Sequence, residues 1–127
     1  MMTCRIGFKT VIFLCCLLLT GCPVTLNVKV TNEAKSEIAI LYSTGFESKI
    51  KPGKTKKEIY KFDCIKVKTE GQLYEYQPVR PPNKYVETGM FSSLIYAVFT
   101  DEKDFKIYIK GDGASENIVL EKGCDSQ

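Results

Sequence analysis

The sequence predicts an all-β protein, a small antiparallel β-sandwich of immunoglobulin-like or transthyretin-like architecture. Short segments alternate apolar and polar residues with period two, which is the pattern of strands that bury one face. Turn-forming residues interrupt these segments about every 8 to 12 residues, as they do in sandwiches and small barrels. The length of 127 residues allows one domain with a single core.

The candidate strands follow one another from residue 24 to residue 120. In the first, every second residue over 24–30 is apolar, beginning with Val24. The later candidates are 38–42, 58–62, 65–68, 72–76, 105–110 and 118–120. Turn residues separate several of these segments, among them Pro52 with Gly53 and the glycine-rich segment 111–113.

The segment 90–99 fits two structures. Its apolar residues fall at helical spacing, namely Met90, Phe91, Leu94, Ile95, Val98 and Phe99. The segment is also rich in aromatic and β-branched residues, and residues 101–104 have the composition of a tight turn that leads to Phe105. We therefore favour a buried strand in a hairpin, and a short helix around 90–99 is the alternative.

The first 21 residues have the organisation of a signal peptide. Arg5 and Lys9 form a short basic region, and residues 11–19 are apolar without interruption. This apolar run is well short of the ~20 residues that a membrane-spanning helix needs. We expect residues 1–21 to be cleaved and residues 22–127 to form a single mature domain.

A specific motif stands at the end of this segment. Leu19, Thr20 and Gly21 precede Cys22, and these four residues resemble the lipobox of bacterial lipoproteins. The resemblance covers only the first 22 residues. It implies that the thiol of Cys22 receives diacylglycerol, that a peptidase cleaves before it, and that the new amine is often acylated. Each buried methylene contributes roughly 0.8 kcal/mol, so two or three acyl chains anchor a protein durably.

The residue after the anchoring cysteine bears on the choice of membrane. In Gram-negative lipoproteins of this type, an aspartate there favours retention in the inner membrane. Here the position is Pro23, so the resemblance implies an outer-membrane protein that faces the periplasm; a Gram-positive envelope is the alternative. Because the first candidate strand begins at Val24, we expect the domain to lie close to the membrane surface.

Two further cysteines, Cys64 and Cys124, lie in the mature chain. In an oxidising envelope compartment, two such thiols usually pair. The sequence has no histidine and no CxxC motif, which disfavours the alternatives of a metal pair or a reactive thiol. We therefore predict a disulfide that ties the C-terminal tail to the middle of the sheet.

Eight lysines lie between residues 49 and 68, accompanied by only two acids, Glu58 and Asp63. We favour the interpretation that these lysines line the solvent face of the sheet and guard an edge strand against unwanted pairing with other strands. The alternative is a patch that binds anionic partners. The eight residues are Lys49, Lys51, Lys54, Lys56, Lys57, Lys61, Lys66 and Lys68.

The segment 74–91 is too long and too proline-rich for a hairpin turn. Long loops in compact domains are often functional, and Tyr and Arg are favoured at the centres of protein interfaces. One hypothesis therefore makes a partner-binding surface of Tyr74, Tyr76, Arg80 and Tyr85. The other is a loop that packs its aromatic residues over an open end of the sandwich.

The composition disfavours catalysis and nucleic-acid binding. Histidine, the commonest general base, is absent. The chain carries 18 basic and 15 acidic side chains, and this near balance predicts no bulk attraction to nucleic acid. The acids at 101–104, 112 and 116 fit solvated turns, and no nucleophile elbow or phosphate-binding loop is present. We expect no enzymatic activity, cofactor, metal ion or small-molecule substrate.

Two functions are consistent with these expectations. The first is an outer-membrane lipoprotein that binds another envelope protein as an adaptor or assembly component, an analogy that rests on the fold. The second is a periplasmic inhibitor or immunity protein that protects the envelope from a hydrolase.

Overall fold

A computed structural model describes residues 25–111 and 116–124 of the chain. The predicted lipobox and Cys22 lie outside these residues, as do Val24 and the turn residues Asp112 and Gly113. The described residues form two β-sheets that face each other, so the predicted all-β sandwich is confirmed.

The described part of the chain contains ten strands, which are β1 (Thr25–Asn32), β2 (Ile38–Leu41), β3 (Glu47–Ile50), β4 (Thr55–Ile59), β5 (Ile65–Thr69), β6 (Gln72–Tyr76), β7 (Glu87–Thr88), β8 (Ser92–Phe99), β9 (Phe105–Tyr108) and β10 (Asn117–Val119). The first sheet has the order β10-β9-β8-β1-β4, and β7 also pairs with β8. The second sheet has the order β3-β2-β5-β6.

One strand pair departs from the antiparallel expectation. β1 and β8 run parallel over their whole lengths, from the pair Thr25 with Ser92 to the pair Asn32 with Phe99. A parallel pair needs a long crossover connection, and here the chain builds the entire second sheet between the two strands. An alternating sequence pattern is the same for both strand directions, so it did not reveal this pairing.

Most of the segment 90–99 is a strand, as predicted, and not a helix. Ser92–Phe99 forms β8, which lies between β1 and β9 and is therefore buried at its centre, where Ile95 and Ala97 have no exposed surface. Met90 and Phe91 precede the strand and are exposed to solvent. The apolar residues at helical spacing therefore belong partly to a turn and partly to a strand. The turn into β9 is closed by hydrogen bonds between Thr100 and Asp104.

The core lies between the two sheets and is mainly aliphatic and aromatic. The ring of Tyr76 lies 6.2 Å from that of Phe99 and 5.6 Å from that of Phe105, between centroids. Its hydroxyl donates a hydrogen bond to the carbonyl of Lys103, so the buried phenol has a polar partner. Other buried members of the core include Val30, Ile38, Ile50, Val67, Ile95, Ile107 and Leu120.

Asn32 is a buried polar residue that joins three parts of the chain at the end of β1. Its side-chain amide donates to the carbonyls of Ser36 and Ile50, both at 2.9 Å, and its side-chain oxygen accepts from the backbone N–H of Ala34 at 2.9 Å. The side chain thereby fixes the connection from the first sheet to the second.

Candidate functional site

The predicted disulfide is present between Cys64 and Cys124, whose Cα atoms lie 5.9 Å apart. Cys64 directly precedes β5, and Cys124 ends a segment that pairs with β6 on its free side. The N–H of Gln77, which follows β6, donates to the carbonyl of Glu121, and the N–H of Gly123 donates to the carbonyl of Glu75 in β6. The bridge therefore ties the C-terminal tail, which pairs with the end of β6, to the residue that precedes β5.

The same cysteines bear on metal binding. The sulfur atoms of Cys64 and Cys124 and a carboxylate oxygen of Glu75 lie within 4.8 Å of one another. Because the two sulfurs are joined to each other, they are not the thiolates that bind transition metals. The cluster therefore consists of a disulfide bond and the neighbouring carboxylate of Glu75.

The proline-rich loop packs over an end of the sandwich. Tyr85 of this loop is only 5% exposed, and Tyr76, the last residue of β6, has no exposed surface, so their prediction as surface contacts is wrong. Tyr60 holds the loop, because its hydroxyl donates to the carbonyl of Val79 at 2.6 Å and accepts from the N–H of Val79 at 3.0 Å. The side chains of Tyr60 and Tyr85 are therefore buried, and they are not accessible to a partner protein.

Two of the four predicted contact residues are still accessible. Arg80 is exposed, and its guanidinium lies 5.7 Å from the centroid of the Phe62 ring, which is 57% exposed. Tyr74 is half-buried and donates to the side-chain oxygen of Gln72 at 2.9 Å. The accessible feature of the loop is therefore the pair formed by Arg80 and Phe62, and the sequence did not single out Phe62.

All eight lysines of the segment 49–68 are exposed. Lys49 lies on β3, and Lys56 and Lys57 lie on β4, which are edge strands of the second and first sheets. The placement of these three lysines supports the interpretation that they discourage pairing with other strands, whereas Lys66 and Lys68 lie on β5, inside the second sheet. Binding of an anionic partner by the same lysines stays a prediction.

An apolar cavity of about 290 Å³ lies between the sheets. β1 and β4 form one wall, and the other is formed by the end of β2 and the start of β5; Phe105 also contributes. Val28, Ile40 and Ile65 are among the apolar residues of the lining, and Lys61 and Lys66 are among its charged ones. Its volume is at the lower limit of small-molecule pockets.

A buried carboxylate lies beside this cavity. Glu58 of β4 is 8% exposed and accepts hydrogen bonds from the hydroxyls of Tyr42 and of Ser48, the latter at 2.7 Å. Ser48 belongs to β3, so the carboxylate connects the edge strands of the two sheets. Burial raises the pKa of the Tyr42 hydroxyl above its ordinary value of 10.0, and the hydrogen bond to Glu58 and its negative charge raise this pKa further.

We expect the protein to lose stability in alkali as the pH rises above about 10, where tyrosine ionises in the unfolded chain. The pKa values of Tyr42, Tyr60 and Tyr76 are raised in the folded state, chiefly by burial. The folded state therefore holds protons that the unfolded state releases, and the free energy of unfolding falls. Urea unfolding at pH 8 and pH 11, with ionisation followed by absorbance near 295 nm, measures the effect.

Tyr42→Phe is the matched variant, since it removes one of these hydroxyls and keeps the ring. We expect a smaller fall of the unfolding free energy with pH in this variant. The same fall in the variant and in the parent protein would contradict the assignment for Tyr42.

The turn between β7 and β8 exposes two large apolar side chains. Met90 is 89% exposed and Phe91 is 86% exposed. The turn is tight, because the N–H of Gly89 donates to the carbonyl of Ser92 at 2.8 Å, and a Cβ at position 89 would lie 2.6 Å from that oxygen. We call residues 89–91 the hairpin tip. Met90 and Phe91 fell both in the predicted loop 74–91 and in the segment 90–99, and neither pattern revealed that they form an exposed turn.

No protein-family model matches the sequence, and no similar curated protein or solved structure was found. Among the described residues, none of the helices has the length and apolar character needed to cross a membrane. The fold and the features described above are therefore the basis for a functional proposal.

Proposed function

We propose that the mature chain is a non-enzymatic, lipid-anchored protein of the bacterial outer membrane, which faces the periplasm and binds another envelope protein. The observation that carries the proposal is the motif of Leu19, Thr20, Gly21 and Cys22 after an apolar run. The disulfide between Cys64 and Cys124 supports it, because such bridges persist in oxidising compartments.

Replacing Cys22 by serine is expected to abolish incorporation of radiolabelled palmitate and to remove the protein from the membrane fraction. The thiol is the atom that would receive diacylglycerol, and a hydroxyl does not replace it. Labelling in cells followed by flotation of membranes measures both effects. Cys16→Ser is the matched control. Cys16 lies within the apolar run, so we expect this substitution to leave palmitate labelling intact. Label retained by Cys22→Ser would contradict the lipid anchor.

The pair formed by Arg80 and Phe62 is the partner-binding surface that we propose. Arginine and aromatic side chains are enriched among the residues that dominate interface energies. The guanidinium lies over the ring of Phe62, so both groups are held in place before a partner binds, which lowers the entropy lost on binding. A partner at this surface would lie beside the segment 77–86 and would leave the core undisturbed.

Arg80→Ala combined with Phe62→Ala is expected to reduce recovery of a cross-linked partner at least about tenfold, since two such residues together commonly exceed 1.4 kcal/mol. The measurement is cross-linking of the full-length lipoprotein in cells followed by affinity purification. Leu73→Ala is the control, because Leu73 is 51% exposed and lies on β6. Unchanged recovery with the double variant would exclude this surface, and a hydrolase as the recovered partner would favour the inhibitor hypothesis.

A further inference from the structure

The hairpin tip combines large apolar surface with a tight turn. Met90 and Phe91 are the most exposed of the large apolar side chains among the described residues. The close approach of Gly89 to the carbonyl of Ser92 holds the turn tight, and both side chains project from it into solvent. Exposed apolar groups of this kind mark surfaces that contact a membrane or another protein.

The position of the tip favours a membrane. β1 runs parallel to β8 with Thr25 opposite Ser92, and neighbouring strands lie about 4.8 Å apart. Phe91 directly precedes Ser92, so it lies at the end of the sheet where the described chain begins. Cys22 is three residues before Thr25, and three residues of extended chain span at most about 10 Å. Acyl chains on Cys22 would therefore hold this end of the sandwich at a bilayer surface.

We infer that Met90 and Phe91 insert into the outer part of a phospholipid bilayer beside the acyl chains of Cys22 and form a second membrane contact. This inference rests on the lipid anchor proposed above. A single flexible anchor leaves a domain free to rotate, whereas a second apolar contact at a fixed position in the sheet sets one orientation. The sandwich then directs the β8–β9 turn and the Asn32 end of β1 away from the bilayer.

The chain contains no tryptophan, so Phe91→Trp introduces a single fluorescent reporter at the tip. The full-length, lipidated variant is reconstituted into vesicles of phosphatidylethanolamine and phosphatidylglycerol, with and without bromine atoms on the upper acyl chain. We expect emission at shorter wavelength and a loss of intensity of roughly twofold or more with brominated lipid. Met90→Trp repeats the measurement from the adjacent position, and Leu73→Trp on β6 is the control that is expected to be unaffected.

The outcomes distinguish a failure of the tip contact from a failure of the lipid anchor. Protein that carries palmitate and floats with vesicles, yet has unquenched tryptophan at both 90 and 91, would overturn the tip contact and leave the anchor standing. A shift to shorter wavelength without quenching by brominated lipid would show that protein covers the tip and would also overturn it. Protein without palmitate label would overturn the anchor and the tip contact together.

Discussion

Replacing both Cys64 and Cys124 by alanine is expected to lower the free energy of unfolding by about 4 kcal/mol. The two residues are 60 positions apart in the chain, and a cross-link that closes so long a loop removes many conformations from the unfolded ensemble. Domains of this size usually have unfolding free energies of about 5 to 15 kcal/mol. The bridge therefore contributes a large share, and the tail beside β6 is the part we expect to detach first.

Urea unfolding of the double variant, with and without reductant, measures this contribution. The parent protein is expected to become as unstable as the variant when it is reduced, and the variant is expected to be insensitive to reductant. Alanine at both positions avoids leaving an unpaired thiol or a new hydroxyl beside Glu75. A parent protein with the same stability before and after complete reduction would contradict the prediction.

Asn32→Asp is expected to cost about 4 kcal/mol of unfolding free energy, although it changes only one side-chain group. The amide of Asn32 donates to the carbonyls of Ser36 and Ile50, and its side chain has no exposed surface. A carboxylate offers no donor, so both carbonyls lose their hydrogen bond and face an oxygen of like charge. The bond from the N–H of Ala34 to the side-chain oxygen is retained and offsets part of the loss.

Asn83→Asp makes the same chemical change at an exposed residue of the short 3-10 helix Asn83–Tyr85. We expect it to change the unfolding free energy by no more than about 0.5 kcal/mol. Thermal unfolding of both variants at neutral pH measures the difference. Equal stability of the two variants would contradict the role of Asn32 as the connection between the sheets.

The strands were predictable where a local pattern sufficed. Alternation located β1, β2, β5 and β9, the segment after Gly71 was predicted as β6, and the turn between β8 and β9 followed from its polar residues. The candidate strand 58–62 was displaced, because β4 spans Thr55–Ile59. The hairpin of β5 and β6 has a two-residue turn in which Glu70 and Gly71 both have positive φ, 53° and 75°, as type I′ turns require. β3 was missed because one of its two buried positions is a serine, Ser48, so its sequence does not alternate between apolar and polar residues. β7 was missed because two residues are too few to display a period.

The features of the candidate site also divide into those that the sequence predicted and those that it did not predict. Pairing of Cys64 with Cys124 followed from their number and expected compartment, without knowledge of the fold. The burial of Tyr76 in β6 and of Tyr85 in the loop did not follow from the sequence. Whether such an aromatic side chain faces the core depends on how the two sheets pack and on which end of the sandwich the loop covers. Phe62 acquired its importance from Arg80, a contact between residues 18 positions apart in the chain.

Alternation, turn chemistry and cysteine count determined by themselves that this chain is a disulfide-bonded sandwich built from short strands, because each is a property of neighbouring residues or of composition. The tertiary structure decided the parallel pairing of β1 with β8, the burial of the proline-rich loop and the position of Met90 and Phe91 beside Thr25. These features arise from contacts between segments that are distant in the chain, such as the pairing of Thr25 with Ser92. Such contacts depend on how the sheets close around a shared core and leave no periodic trace in the sequence.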